Sequence, residues 1–500
     1  MVESRLPILI QGGMGVAVSN WELARAVAIA GEKLNKPVLG VISGTGIEAL
    51  LARRLQDGDS GGHMQRALEA FPIPRMAERI LDDYFNNVKK PPTSRYRLTP
   101  KPTDVFSDNP DKRRRAIELT IVSNFVEVWL AKQGHSGPIG INHLEKIQML
   151  HPYRLYGAML AGVDYLLEGA GIPTQVPGML DQLAQNKPAS YKVDVEGSRE
   201  KLEASFDPGE MAPEIKDELK RPKFLAIIAS NLLAKLLTGR RVNGYVDGFV
   251  IEGPTAGGHN APPRKKGEFN QRGEPVYGGD DIVDLDEMTS LGRPFWLAGS
   301  YASPTKIAEA LSLGAKGVQV GTIFALSNES GIIPEYKQKM RAQALRGELD
   351  VYTSATASPT GFPFKVVQME GTLSDSQIYA TRPRSCDLGH LLVPYEARNG
   401  KIGFRCPAEP IQAYLQKLGK ISEELTTDER ARIEKSVCLC NALVATVGFP
   451  QKDRLGEEQS IITLGDITEF IKELNLDENL GYSASTAVEY LLENVTIPSF

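Results

Sequence analysis

The sequence predicts an α/β protein, a (β/α)8 TIM barrel with long loop insertions and a small, mostly helical C-terminal domain. Three observations predict it: eight short apolar runs recur along the first two-thirds of the chain, most are followed by a helical pattern, and several end in glycine-rich or small-residue turns. The runs are LPILI (Leu6 to Ile10), PVLGVIS from Pro37, GPIGIN around Ile139, VDYLLEG from Val163, FLAIIAS from Phe224, VDGFVIEG from Val246, PFWLAG from Pro294 and AKGVQVG from Ala315. Each reads as a buried strand.

Between them lie helical segments such as WELARAVAIAG from Trp21, NLLAKLLTG after Ser230 and SPTKIAEALSLG after Ala302. In the last of these Ser303 reads as the N-cap and Pro304 as the first helical position. Eight β-α repeats favour a closed barrel over an open doubly wound sheet. A ninth strand candidate, SYKVDVEGS (Ser190 to Ser198), is assigned to an excursion because Glu196-Gly197 reads as a hairpin turn. Two long segments, about 55–111 and about 190–221, interrupt the rhythm. Such insertions shape an active site or an oligomer contact, a homo-oligomer included, or run as plain surface excursions. The alternation stops after about Ser327, and a boundary is expected near 375, giving a barrel over 1–375 and a C-terminal domain over 376–500. Patterns such as IQAYLQKLGKIS and TDERARIEKSVCLCNALVATVG make that domain mostly helical.

With 57 basic and 62 acidic side chains, the 500-residue chain carries a formal charge of −5, and 42% of it is hydrophobic. Its densest basic blocks, Arg113-Arg114-Arg115 and Arg264-Lys265-Lys266, are too short to grip a phosphate backbone, so no nucleic-acid partner is expected. No stretch approaches the ~20 apolar residues of a membrane span. The opening MVESRLPILIQGG lacks the basic-then-apolar pattern of a secretion signal, and four cysteines are too few for a disulfide framework. A cytoplasmic protein without a membrane partner is the expectation.

Three turns at strand ends are the candidate sites of chemistry. Gln11-Gly12-Gly13-Met14-Gly15 follows the first strand, and its glycines let backbone groups approach a flat ligand closely. Ala298-Gly299-Ser300 and Gly321-Thr322 end the last two strands, where barrels commonly hold a phosphate on exposed N–H groups. Both features also suit plain tight turns. Glu252 to Asn260 (EGPTAGGHN) presents His259 on a glycine-rich loop, able to serve as base, acid or hydrogen-bond donor near neutral pH. His63, His135, His143, His151 and His390 lack such a setting and are expected at the surface or at caps.

Taken together, QGGMG at Gln11 to Gly15, EGPTAGGHNAP at Glu252 to Pro262 and LAGSYASPTKIAEALSLGAKGVQVGTIF at Leu297 to Phe324 resemble the nitronate monooxygenase family, formerly 2-nitropropane dioxygenases. That family includes flavin-dependent enoyl-acyl carrier protein reductases, and the resemblance covers about 1–330 less the insertions. It implies a TIM barrel binding FMN without a covalent bond. On the matching positions it implies that Gly12, Gly13 and Met14 line the isoalloxazine and that Asn142 and Glu252 lie near its edge. Gly257 and Gly258 join the cofactor-binding set, Gly299, Ser300, Gly321 and Thr322 hold the phosphate, and His259 is the catalytic residue facing the substrate. The chain departs from the family in having Thr255 where an acidic residue is usual, Ala261 where glycine is usual, Pro262-Pro263 next, and AGS for AGG in the phosphate turn. The stretch GEFNQRGEPVYGGDD after the histidine loop is a further insertion. These departures leave the flavin expected and bear on the substrate.

Cys386, Cys406, Cys438 and Cys440 cluster in the C-terminal region. They read either as ligands of a zinc or iron–sulfur site or, given Val437, Leu439 and Leu443 around the pair, as small hydrophobes on a buried helix face.

The leading function implied by the resemblance is an FMN-dependent oxidoreductase of the nitronate monooxygenase type, oxidising a small-molecule nitronate with molecular oxygen. Its alternative keeps fold and FMN, takes NAD(P)H as electron donor, and reduces an enoyl thioester delivered by an acyl carrier protein. A non-enzymatic scaffold is the third reading. No GxGxxG fingerprint follows a strand, which does not separate the first two, because reductases of the family bind NAD(P)H without one.

Overall fold

The computed structural model describes residues 6–91, 94–240, 242–453, 456–474 and 481–495. The first five residues of the opening segment and parts of the predicted C-terminal domain lie outside these. Eight parallel strands close into a barrel: β1 (Leu9–Gln11), β2 (Val38–Ser43), β3 (Ile139–Leu144), β4 (Tyr165–Gly169), β5 (Lys223–Ile228), β6 (Gly248–Glu252), β7 (Phe295–Ala298) and β8 (Gly317–Val320). Each strand pairs with its sequence neighbour, and β1 pairs with β8 in the register Leu9↔Val318, Ile10↔Gln319 and Gln11↔Val320. All eight coincide with the eight apolar runs.

The strands are apolar on both faces because both are covered. Ile10, Val41, Tyr165, Leu167, Leu225, Val250 and Trp296 fill the barrel interior. Trp296 donates from Nε1 to the Pro7 carbonyl at 2.6 Å, so even its polar tip is satisfied inside the fold. The opposite faces of the strands pack against the helices in a second, larger core.

Helix α1 (Trp21–Lys33) is capped by Asn20, whose side chain accepts from the Leu23 N–H. The 55–111 segment carries short helices over His63–Glu69 and Pro74–Tyr84, which pack on the long helix α2 (Pro110–Ala131) outside the barrel. Covered on most sides, α2 carries no one-sided apolar stripe, and it buries even Glu118 and Glu127. These are paired with Arg79 (2.7 Å) and Arg54 respectively. Helix α3 (His151–Leu160) crosses α2 at Gly157, where a Cβ would lie 2.1 Å from the Ile121 carbonyl oxygen. The excursion near 190 is an antiparallel hairpin, Ala189–Asp194 with Lys201–Phe206, and Gly197 in its turn has φ +82°.

Helix α4 (Pro304–Ser312) starts at Ser303, whose hydroxyl accepts from the Lys306 N–H. Beyond the barrel, two-stranded antiparallel pairs at Val351–Ser354/Phe364–Val367 and Val393–Glu396/Ile402–Arg405 accompany the helices. Helices α5 (Leu439–Thr446) and α6 (Ala484–Leu492) return to the barrel, α6 lying against α1, and their buried residues join the same core as the barrel helices. Among the described residues no helix is long and apolar enough to cross a membrane.

The Gly157→Ala variant is expected to force α2 and α3 apart and lower stability by about 1–3 kcal/mol. A thermal melt against the parent chain measures it.

Candidate active site

The carboxyl ends of the strands open into a cleft of about 220 Å³. It is lined by Gly12, Gly13, Met14, Asn142, Glu252, Gly257, Gly258, His259, Gly299, Ser300, Gly321 and Thr322, so the residues that the resemblance assigns to cofactor and substrate meet there. Closure of β1 onto β8 is the reason: the Gly12 N–H donates to the Val320 carbonyl at 2.9 Å, bringing the first turn beside the last.

The first turn is held by the last residue of β1, whose side chain lies on the face opposite to Ile10. Gln11, fully buried, accepts from the Val41 N–H (3.0 Å) through Oε1 and donates from Nε2 to the Val41 carbonyl (3.1 Å) and to Ser19 Oγ (2.9 Å). Ser19 Oγ in turn accepts from the Met14 N–H at 3.0 Å. A Cβ on Gly13 would stand 2.4 Å from Cβ of Asn142, so only glycine fits against that side chain. Asn142 donates to the Gly13 carbonyl at 3.1 Å, leaving its Oδ1 buried without a partner. Oε1 of Gln319, on β8, is likewise buried and unpartnered at the cleft. Buried acceptors of this kind are normally satisfied, and these two stand at one cleft.

At the end of β7, Gly299 and Ser300 both take left-handed backbone, φ +89° and +67°. That is costly for serine, and both residues line the cleft. Ser300 Oγ donates to Thr255 Oγ1 at 2.7 Å and so ties this turn to the histidine loop. Thr255 and Ser300 are two of the positions at which the sequence departs from the family it resembles, and here they are bonded to each other.

His259 Nε2 shares a hydrogen bond of 2.7 Å with Ser358 Oγ, and its ring meets Phe364 edge-on with centroids 4.8 Å apart. Its loop is pinned twice more, by the Lys365 N–H donating to the Gly258 carbonyl (3.0 Å) and the Asn260 N–H donating to that of Pro363 (2.9 Å). Enclosure in the cleft wall, with Lys146 nearby, pushes the imidazole down to about 4. Burial likewise pushes the Glu252 carboxyl up to about 8. Both groups keep some contact with the cleft, yet the surrounding protein governs their ionisation. At neutral pH both are therefore uncharged.

Several cleft residues carry no motif. Phe364 comes from the segment after the barrel, as does Ser358 behind His259, and Thr463, Leu464, Gly465 and Ile467 from far beyond it. This last stretch is bound to two predicted turns: the Gly258 N–H donates to Thr463 Oγ1 at 2.8 Å and the Gly465 N–H to Thr322 Oγ1 at 2.9 Å. Gln319 could have been found, since a glutamine inside the apolar run GVQV has no reason to be there except the cleft.

Three histidines are buried against the expectation of surface positions, His143, His151 and His390, although His151 does cap the short turn Gln148–Leu150. A polar layer behind β3 and β4 accommodates two of them, His143 sharing a 3.1 Å bond with Asn124 Oδ1 and His151 a 2.7 Å bond with Glu168 Oε1. The four cysteines lie away from the cleft, and among the described residues no three His, Cys, Asp or Glu side chains are gathered as a metal-ligating set.

Fold and cleft define a (β/α)8-barrel protein whose cleft opens at the carboxyl ends of its strands. Residues 176–357, the second half of that barrel and the segment following it, match the nitronate monooxygenase family. A probable nitronate monooxygenase of Bacillus subtilis (strain 168) is 33% identical over 96 residues, which span 19% of this chain and 26% of that relative, about a quarter of its length. Among solved structures, FabK from Thermotoga maritima is 16% identical over 88% of this chain and 91% of its own, with a TM-score of 0.38. A nitroalkane oxidase from Streptomyces ansochromogenes is 12% identical over 98% and 95%, with a TM-score of 0.42.

Raising the pH through about 8 is expected to ionise Glu252, a raised carboxyl being protonated below that value. Difference infrared spectroscopy reads this as loss of a protonated-carboxyl band that Glu252→Gln lacks. The His259 ring signals in an NMR titration should stay those of neutral imidazole down to about pH 4.

Proposed function

We propose that this protein is an FMN-dependent oxidoreductase that uses NAD(P)H to reduce an enoyl thioester. The observation that carries the choice of acceptor is a second cavity of about 430 Å³ that shares Glu252, His259, Ala170 and Ile227 with the cleft. Its walls include Ile172, Leu232, Leu233, Leu236 and Phe362, with Lys146, Arg264, Tyr277 and Asp281 among the polar positions. Leu232 is 73% and Ile172 53% exposed, unusual for such side chains and suited to an acyl chain. Lys265 and Lys266 stand exposed beside Arg264, a short basic rim for an acidic carrier protein.

The first cleft suits FMN on its own features. Gly12 and Gly13 keep side chains out of the way of a flat ring, Asn142 Oδ1 and Gln319 Oε1 offer acceptors, and N–H groups at Gly299-Ser300 and Gly321-Thr322 suit a phosphate. Bound there, FMN would supply reversible hydride transfer. Saturating a carbon–carbon double bond takes one hydride from the donor and one proton. With His259 uncharged, the protonated carboxyl of Glu252 is the group at the junction able to give that proton, while His259, fixed by Ser358, orients the thioester.

The family match favours a second reading, oxidation of a nitronate by molecular oxygen, which would use the first cleft alone. There His259 takes the α-proton of a nitroalkane or holds the nitronate oxygens.

Anaerobic mixing separates the readings. NAD(P)H is expected to bleach the flavin and a crotonyl thioester to restore it; bleaching by a nitronate alone would replace the first reading with the second. A protein that takes up no flavin would turn both into the scaffold reading. His259→Asn should keep its flavin and lose about 10²-fold in turnover. Glu252→Gln should slow reduction and abolish the alkaline limb near pH 8.

A further inference from the structure

Outside the cleft, the most distinctive cluster is a small cavity in the C-terminal region onto which all four cysteines of the chain open. Three separate segments bring them there. Cys386 follows the short helix Ser376–Thr381, Cys406 directly follows the Val393–Glu396/Ile402–Arg405 pair, and Cys438 and Cys440 stand at the start of α5, Cys438 as its N-cap. All four are free thiols.

The cavity has a volume of about 10 Å³, room for about one water-sized atom. Leu391, Leu392, Ala408 and Leu439 complete its apolar walls, and all are buried. Glu409 also reaches it, but its carboxylate is taken by the Cys406 N–H (3.2 Å) and by Lys417. Sulfur is the ligand chemistry left.

Backbone N–H groups stand near two of the sulfurs, that of Ala408 beside Cys406 and that of Asn441 beside Cys438, although Cys438 accepts no cap hydrogen bond. Cations stand beside the cluster as well. Arg384 is close to Cys406 and Cys438 and is anchored by donating to the carbonyls of Pro407 (2.8 Å) and Ile433 (2.9 Å). Lys101 is close to Cys386 and donates to its carbonyl at 2.6 Å. Donors to sulfur and nearby positive charge are what a set of metal-bound thiolates needs around it.

We propose that the four cysteines are the ligands of a single structural zinc ion. Binding exchanges four S–H bonds for four Zn–S bonds of about 2.3 Å and releases four protons, with no change of oxidation state. The resulting site carries two negative charges, which Arg384 and Lys101 offset. Because no three of these side chains stand as a ligand set in the structure, the sulfurs must turn inward about χ1 as their protons leave. A one-atom cavity fits a mononuclear ion and leaves no room for the inorganic sulfide of an iron–sulfur cluster. The ion would clamp the start of α5, the helix whose Leu443 lines the cleft.

The test is elemental analysis and zinc-edge X-ray absorption on the untagged, full-length protein, made in zinc-supplemented medium and purified under a non-thiol reductant. One zinc per chain with a shell of four sulfurs, released by a mercurial, is the expected result, and Cys406→Ser should lose that zinc. If the variant does not fold, the parent protein still decides. Four thiols that react in the native state without bound zinc, zinc in a nitrogen and oxygen shell, iron with visible charge-transfer bands, or a disulfide among the four would each overturn the proposal.

Discussion

The pairing of the first strand with the last is the constraint on which the rest of this molecule depends. The register Leu9↔Val318 closes the sheet on itself, and closure is tight: a Cβ on Gly317 would sit 2.0 Å from the Ile8 carbonyl oxygen. Only then do Gly12 and Gly321, separated by most of the barrel in sequence, become neighbours across one cleft. Shifting the pairing by one residue would turn Ile10 out of the interior and Gln319 away from the cleft, so packing and site are fixed by the same choice.

The barrel was legible because its signal is local. Strands covered on both faces must be apolar throughout, and helices between them must start with caps such as Asn20, Ser230 and Ser303, so pattern and punctuation agree along the chain. The three turns of the site were legible for a related reason, since glycine and small residues at strand ends are demanded by the backbone itself. What the sequence could not disclose is long-range. Nothing near Ser358 or Thr463 marks them as neighbours of His259 and Gly258; they are brought there by chain that folds back over the barrel. The buried histidines escaped for the opposite reason, because a polar residue inside a core is satisfied by partners such as Asn124 and Glu168 that sit far away in sequence.

Two of the sequence's departures from its resemblance are explained together. Threonine in place of an acidic side chain and serine in place of glycine look like independent drift when read along the chain. In space the Ser300 hydroxyl bonds that of Thr255, replacing a freely turning glycine and a charge with a neutral tie between two loops. The left-handed serine costs of order 1 kcal/mol of backbone strain, comparable to what one hydrogen bond returns. The two loops are thereby tied to each other by neutral side chains.

The region after the barrel is often the part of a chain that can be exchanged or trimmed. Here it supplies a wall of the cleft, with Thr463 and Gly465 bound to the turns after β6 and β8. A chain ending soon after its eighth strand would keep each glycine turn and the histidine loop in its sequence. It would nevertheless lack one wall of the cleft, so swapping this barrel among relatives would carry the motifs across and leave that wall behind.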